Sequence, residues 1–460
     1  MKLRPLAAAL LCACATHTAL AAGDRVYTAD QNTNTVSVID PSTNTLLGQI
    51  RLGNQRPDVL SPLYKGEINV HGMGFSPDHR TLVVVSNGSN SVAFIDTATN
   101  RVKGITYIGR SPHEAFFSAD GKEVWAVVRG ENYISVIDPS TFTETRRIET
   151  APGPGMVLFH PAGKLAFVVS SFTPEMDVID VASHAVVKRI PVISPFSPFL
   201  QFTPDHSEIW MGHKDVGKVT RIDTRSLEVK GVIDTGLVTN HLGFAKTSRG
   251  TLAYVAVGAE NLVKVFSTGA EARLLKTIPV GALPHGMWPS DDGKRMYVGL
   301  ENGDAVQVID TESDKVVAQV PVGQAPQALV YVSNAVPAGA GTDNLVPPVN
   351  GKSANVSLRP TGGNAAGFVV ARNLGVVDSL EVFLYKLKPQ TVYSIYLGGQ
   401  SALVAAFRTN PGGMANGTAI GPLREVRRLL SADEPVQAAI VVMEGDAPPD
   451  VAKAVLTSPG

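Results

Sequence analysis

Nine histidines follow residue 22, and four of them fall on matching positions of a repeated segment. His71 (HGMGFSPD), His113 (HEAFFSAD), His241 (HLGFAKTS) and His285 (HGMWPSDD) each head a short apolar run that leads into a turn. The equivalent position is Gly155, Pro198 or Gln327 in the remaining copies. A neutral imidazole nitrogen offers a lone pair to Zn, Cu, Fe or Ni, and an imidazole near neutral pH moves protons. His71, His113, His241 and His285 therefore suit a metal site, a metal-free polar pocket for a small ligand, or acid–base chemistry. The plainer alternative is that each histidine was duplicated with its repeat and bonds the neighbouring copy. Gln327 interrupts the arc and joins the ligand-binding candidates. Glu114, next to His113, suits a carboxylate that orients an imidazole or balances charge. Met73 and Met287 lie two residues beyond their histidines, on the same strand face if period two holds. A thioether there would be a soft Cu(I) ligand or, more commonly, packing.

An insertion, NQRPDVLSPLYKGEIN (54–69), runs straight into His71. A long loop beside a pocket is often functional. Arg56, Asp58, Tyr64 and Lys65 are its candidates for binding a ligand carboxylate or covering the site.

The elements that position these residues come from the repeat. VSVID ends at Asp40, and the same place is held by Asp96, Asp138, Asp180, Asp223, Ser267 and Asp310. The steps are 56, 42, 42, 43, 44 and 43 residues, so there are seven units, the first step carrying the insertion. A period near 42 with four short alternating runs per unit is the pattern of a β-propeller blade. The repeated Asp precedes Ser or Thr and is read as a turn-former, its carboxylate accepting backbone N–H groups just downstream. The chain begins its repeats at VYTAD (26–30), a second strand, and the missing first strand appears as QALVYV (327–332). A strand from the far end closing blade one removes the ring's edges.

These units resemble YVTN-type propeller repeats, a WD40-like architecture. The motif stands here as VYTAD, VVVSN, VWAVV, AFVVS, IWMGH, AYVAV and MYVGL, and the resemblance covers residues 24–332. The ring also resembles the propellers of cytochrome d1-type haem proteins and of seven-bladed lactonases. The resemblance is specific for fold and poor for function, because one ring hosts binders, lyases, lactonases and redox enzymes.

Composition narrows the rest. Lys plus Arg number 40 and Asp plus Glu 41, so no basic excess points to nucleic acid. Residues 1–22 (MKLRPLAAALLCACATHTALAA) carry a charged start, an Ala/Leu stretch and a small-x-small end, which reads as a Sec-type signal peptide rather than a lipoprotein leader. Its removal takes both cysteines and leaves 38 basic against 41 acidic residues, a net of −3. No CxxCH is present, so covalent c-type haem is excluded. No later run is long and apolar enough to span a membrane. Walker, HExxH and GxSxG signatures are absent.

The expected fold is all-β: a seven-bladed β-propeller (23–332) closed by a C-terminal strand in blade one, a Pro/Gly/Ala linker (333–352) and a small β-sandwich domain (353–460). One helix is plausible at GPLREVRRLL. The expected protein is periplasmic or secreted. It holds a transition metal (Cu, Zn or Fe) or a small ligand at the histidine-lined mouth, with the C-terminal domain making contacts to the propeller, a protein partner or a second copy. The alternatives are a metal-dependent lyase or lactonase at that site, a d1-haem-type binding or redox protein, and a surface scaffold.

Overall fold

The computed structural model describes residues 23–54, 64, 66–348, 353–373, 377–397, 403–421 and 440–458. The expected leader, Arg56, Asp58, Lys65 and all but the first residue of the expected helix lie outside the described residues. Among the described residues no helix is long and apolar enough to cross a membrane.

Seven four-stranded antiparallel sheets form the ring. Blades two to seven take consecutive strands, for example Pro112–Phe117, Val124–Val128, Tyr133–Asp138 and Thr143–Glu149 in blade three. Blade one is built as expected from both ends. Pro326–Val332 pairs with Arg25–Asp30, setting Tyr27 opposite Val330 and Arg25 opposite Val332. Asp24 secures the seam by accepting from the Asn334 N–H (2.7 Å) and the Tyr331 hydroxyl.

Aromatics at one position of the second strands glue the blades together. Trp125, Phe167 and Trp210 are fully buried, and each meets a phenylalanine of the next blade's first strand, Phe159, Phe202 and Phe244, at 4.8–5.7 Å between ring centroids. Such edge-to-face pairs add to the burial of their area. The repeated Asp closes the third strand as read: Asp40 Oδ1 accepts the Ser42 N–H and Asp138 Oδ1 the Ser140 N–H, both at 2.8 Å.

The segment after the closing strand is not a bare spacer. Asn100 donates to the carbonyls of Gly341 and Asp343, and Gln49 forms a bridge with Val346, so this stretch straps the outside of blades one and two. The C-terminal domain is one eight-stranded antiparallel sheet that curls until its outer strands, Leu403–Arg408 and Ala415–Gly421, meet, with Phe407 packed against Gly417. Its core is carried by Val369, Leu380 and Val382 from one half together with Tyr393, Ile395 and Val442 from the other.

Candidate functional site

All four repeat-equivalent histidines line one cavity at the channel mouth. A slip in each first strand aims them there. In blade two Val70 faces Ser86, but Met73 faces Val84, so one extra residue is inserted. The same slip separates Pro112 from Ala115, Thr239 from Leu242 and Pro284 from Met287. Such a β-bulge bends the strand and re-aims a side chain. It also breaks period two. Met73 and Met287 are therefore not on the histidines' face, contrary to the sequence expectation, but in the hydrophobic cores of their blades.

The imidazoles form two pairs. The His71 and His113 rings are 4.5 Å apart between centroids, and those of His241 and His285 are 5.2 Å apart. His71 Nδ1 lies 2.8 Å from Gln31 Oε1, and His113 Nδ1 lies 2.5 Å from the Gly155 carbonyl oxygen. Both partners are acceptors, so each Nδ1 carries the proton and donates, and Nε2 keeps its lone pair. His241 stacks on Phe199 at 3.9 Å. Burial depresses the pKa of all four, leaving them neutral at pH 7.

Two cations face the same cavity, Arg129 and Lys214. Among the described residues neither side chain has a hydrogen-bond or ion-pair partner. Burial pushes the Arg129 guanidinium down to about 10, with Glu114 opposing, and lowers the Lys214 ammonium, with Glu301 opposing. Burial works against ionisation of Glu301, but His285, with Nδ1 3.1 Å from Glu301 Oε2, and Lys214 hold its carboxyl below the usual range. Gln327 lies against both His285 and Glu301.

The C-terminal domain roofs this mouth. Glu381, Phe383, Asn416 and Thr418 line a cavity of about 210 Å³ from above. Arg372, fully buried, joins roof to ring: it donates to the Glu381 carboxylate and to the Glu301 carbonyl (3.0 Å), and lies 3.5 Å from Asp304. Asn32 donates to Glu381 Oε1 (2.9 Å) and Asn355 to the Asn302 carbonyl (2.6 Å). An apolar seam of Phe383, Tyr385 and Met414 against Val238 and Leu283 completes the docking.

Of the residues singled out in the sequence, the four histidines and Gln327 reach the cavity. Glu114 does not line it. Its Oε2 accepts the Met73 N–H at 3.0 Å, and burial raises its pKa to about 8. Gly72 permits that approach, since a Cβ there would collide with the His113 carbonyl oxygen and sit 2.8 Å from Glu114 Oε2. Tyr64 does not line it either: its hydroxyl donates to the Glu67 carbonyl (3.0 Å) and accepts the Asn54 N–H (2.7 Å), pinning the insertion's ends. Sequence reasoning missed Arg129, Lys214, Glu301, Gln31 and Asn87. All stand immediately after a second strand, a repeat-equivalent position that also holds Ser171 and Gly258. Antiparallel pairing returns that position to the mouth where the first strand begins, so aligning it would have found them.

The donor set does not favour a resident metal. Among the described residues no group of three or more His, Cys, Asp or Glu is disposed to hold one, and two cations face the same space.

The YNCE-like beta-propeller family description matches residues 64–208 and, in an overlapping register, 109–319. Hydrazine synthase of Kuenenia stuttgartiensis is similar over 59% of this chain and 92% of its own, at 22% identity and a TM-score of 0.52. The periplasmic gluconolactonase PpgL of Pseudomonas aeruginosa covers 67% of this chain and 99% of its own, at 17% identity and TM-score 0.54. The dihydro-heme d1 dehydrogenase NirN, in complex with DHE, covers 90% and 77%, at 13% identity and TM-score 0.50. These likenesses concern the fold alone. No curated protein sequence matches the chain.

Proposed function

The chain belongs to the YNCE-like β-propeller family, and from its channel mouth we propose that it is an exported binding protein for a small organic anion. One observation carries this reading: Arg129 and Lys214 face a roofed cavity without partners among the described residues. A buried charge without a partner is costly, and a native fold tolerates it where a ligand supplies the counter-charge. The charge arithmetic agrees. Of the charged lining residues, Glu381 is already engaged by Arg372, so two cations face the cavity against the single carboxylate of Glu301, which suits an anionic ligand. The neutral imidazoles and the amides of Gln31, Asn87, Asn240 and Gln327 supply polar contacts that orient rather than charge. Residues 1–22 support export, and the periplasmic setting of the similar lactonase accords with it.

The test is calorimetric titration of the intact protein with short carboxylates, beside an Arg129→Met/Lys214→Met variant. Charge-assisted bonds contribute about 1.5–3 kcal/mol each, so the double variant should bind at least about a hundredfold more weakly. Unchanged affinity in that variant would end the reading, as would failure of the wild type to bind any small anion. N-terminal sequencing of protein from an export-competent host tests export, which requires loss of the leader.

A further inference from the structure

The cavity has two halves, each centred on an imidazole pair. Arg129 acts electrostatically on His71 and His113, and Lys214 on His241 and His285 and, more weakly, on His71. The halves differ in one respect. Glu301 already lies beside His285 and within the field of Lys214, whereas the carboxyl near Arg129, Glu114, is turned away to the Met73 N–H. The Arg129 half is therefore the less compensated one. A guanidinium also matches a carboxylate in plane and can grip both oxygens.

The imidazoles beside it present the opposite chemistry. His71 and His113 give their Nδ1–H groups to Gln31 and Gly155, so what each can offer the cavity is the Nε2 lone pair, an acceptor. A plain carboxylate, which only accepts, satisfies Arg129 and leaves both acceptors without a donor. A hydroxyl close to the carboxylate satisfies both.

Building on the anion-binding reading above, we infer that the ligand is a short hydroxycarboxylate, its carboxylate on Arg129 and its hydroxyl donating to Nε2 of His71 or His113. The volume, about 210 Å³, lies below the roughly 300–1,000 Å³ of pockets for drug-sized ligands and favours a chain of a few carbons.

Threonate, butyrate and threitol share four carbons and carry, respectively, carboxylate with hydroxyls, carboxylate alone, and hydroxyls alone. Titrated into the intact protein, threonate should bind about tenfold or more tightly than butyrate, and threitol should bind weakest of all. In His71→Leu/His113→Leu the threonate advantage over butyrate should vanish. His71→Gln, which keeps an acceptor, should retain part of it. Equal binding of threonate and butyrate by the wild type would overturn the hydroxyl assignment and leave anion binding standing. Threitol binding as well as threonate would overturn both, and so would binding of none of the three. The wild-type comparison decides the matter even if the leucine variant does not fold.

Discussion

If Arg129 is held for a ligand, removing its charge should stabilise the protein. Arg129→Met keeps most of the side-chain length and deletes the guanidinium. Burial lowers the Arg129 pKa from its ordinary value to about 10. At 1.36 kcal/mol per unit this corresponds to about 3 kcal/mol of penalty on the charged form. Water in the cavity and the lost attraction of Glu114 reduce the gain, so about 1–2 kcal/mol is expected. In urea the midpoint should rise with an unchanged slope, because the exposed area on unfolding is unaltered. Threonate, which should raise the melting temperature of the wild type, should no longer do so in the variant. A loss of more than about 1 kcal/mol in Arg129→Met would refute the reasoning, since it would mean that the guanidinium supports the fold rather than awaiting a ligand.

Four other outcomes are expected. Protein offered Zn, Cu or Fe should take up well below one metal per chain by elemental analysis; near-stoichiometric metal that is lost in His71→Ala/His285→Ala would contradict the charge argument. Arg372→Met leaves Glu381 buried without its cation and should cost roughly 3–5 kcal/mol of roof docking, seen as a separate, earlier calorimetric transition; a single unchanged transition would count against the latch. Trp210→Ala should lower stability by about 3–5 kcal/mol, because it opens a void beside Phe244 and strips the Glu208 carboxylate of the indole N–H; a urea midpoint near the wild-type value would disprove that packing role. Acid should destabilise the fold below about pH 6.5. Burial lowers the folded pKa of His71, His113, His213, His241 and His285, so the unfolded chain takes up protons that the native state refuses. Asp30, raised to about 7, and Glu114, raised to about 8, act with the opposite sign: their contribution is full at acid pH and lost as pH rises. With His206 also lowered and Asp215 also raised by burial, six groups against three give a net loss of stability from about pH 6.5 to about 5, and a flat or rising urea midpoint over that range would show the histidines to be solvated.

The ring was legible before any coordinates because its information is local and repeated. Asp138 bonds Ser140 two residues on, and seven copies of one alternating pattern leave a propeller as the natural way to bury both faces of every blade. The displaced strand at 327–332 announced the closure for the same reason. Convergence of His71, His113, His241 and His285 was also legible, since equivalent repeat positions must occupy equivalent places around an axis. The bulges were not: a one-residue slip leaves no mark on composition, and it decided that His71 faces the cavity while Met73 enters the core. Arg129 and Lys214 carried a readable signal that was overlooked, their place after the second strand. The roof had none. Arg372 meets Glu301 across 71 residues and Asn32 meets Glu381 across 349. Which domain face covers which mouth depends on such long-range pairings, which neither periodicity nor spacing encodes. The local repeat thus determined the ring and its cavity-facing histidines, whereas only the tertiary structure decided that the mouth is partly covered by the C-terminal domain, faced by two cations and small.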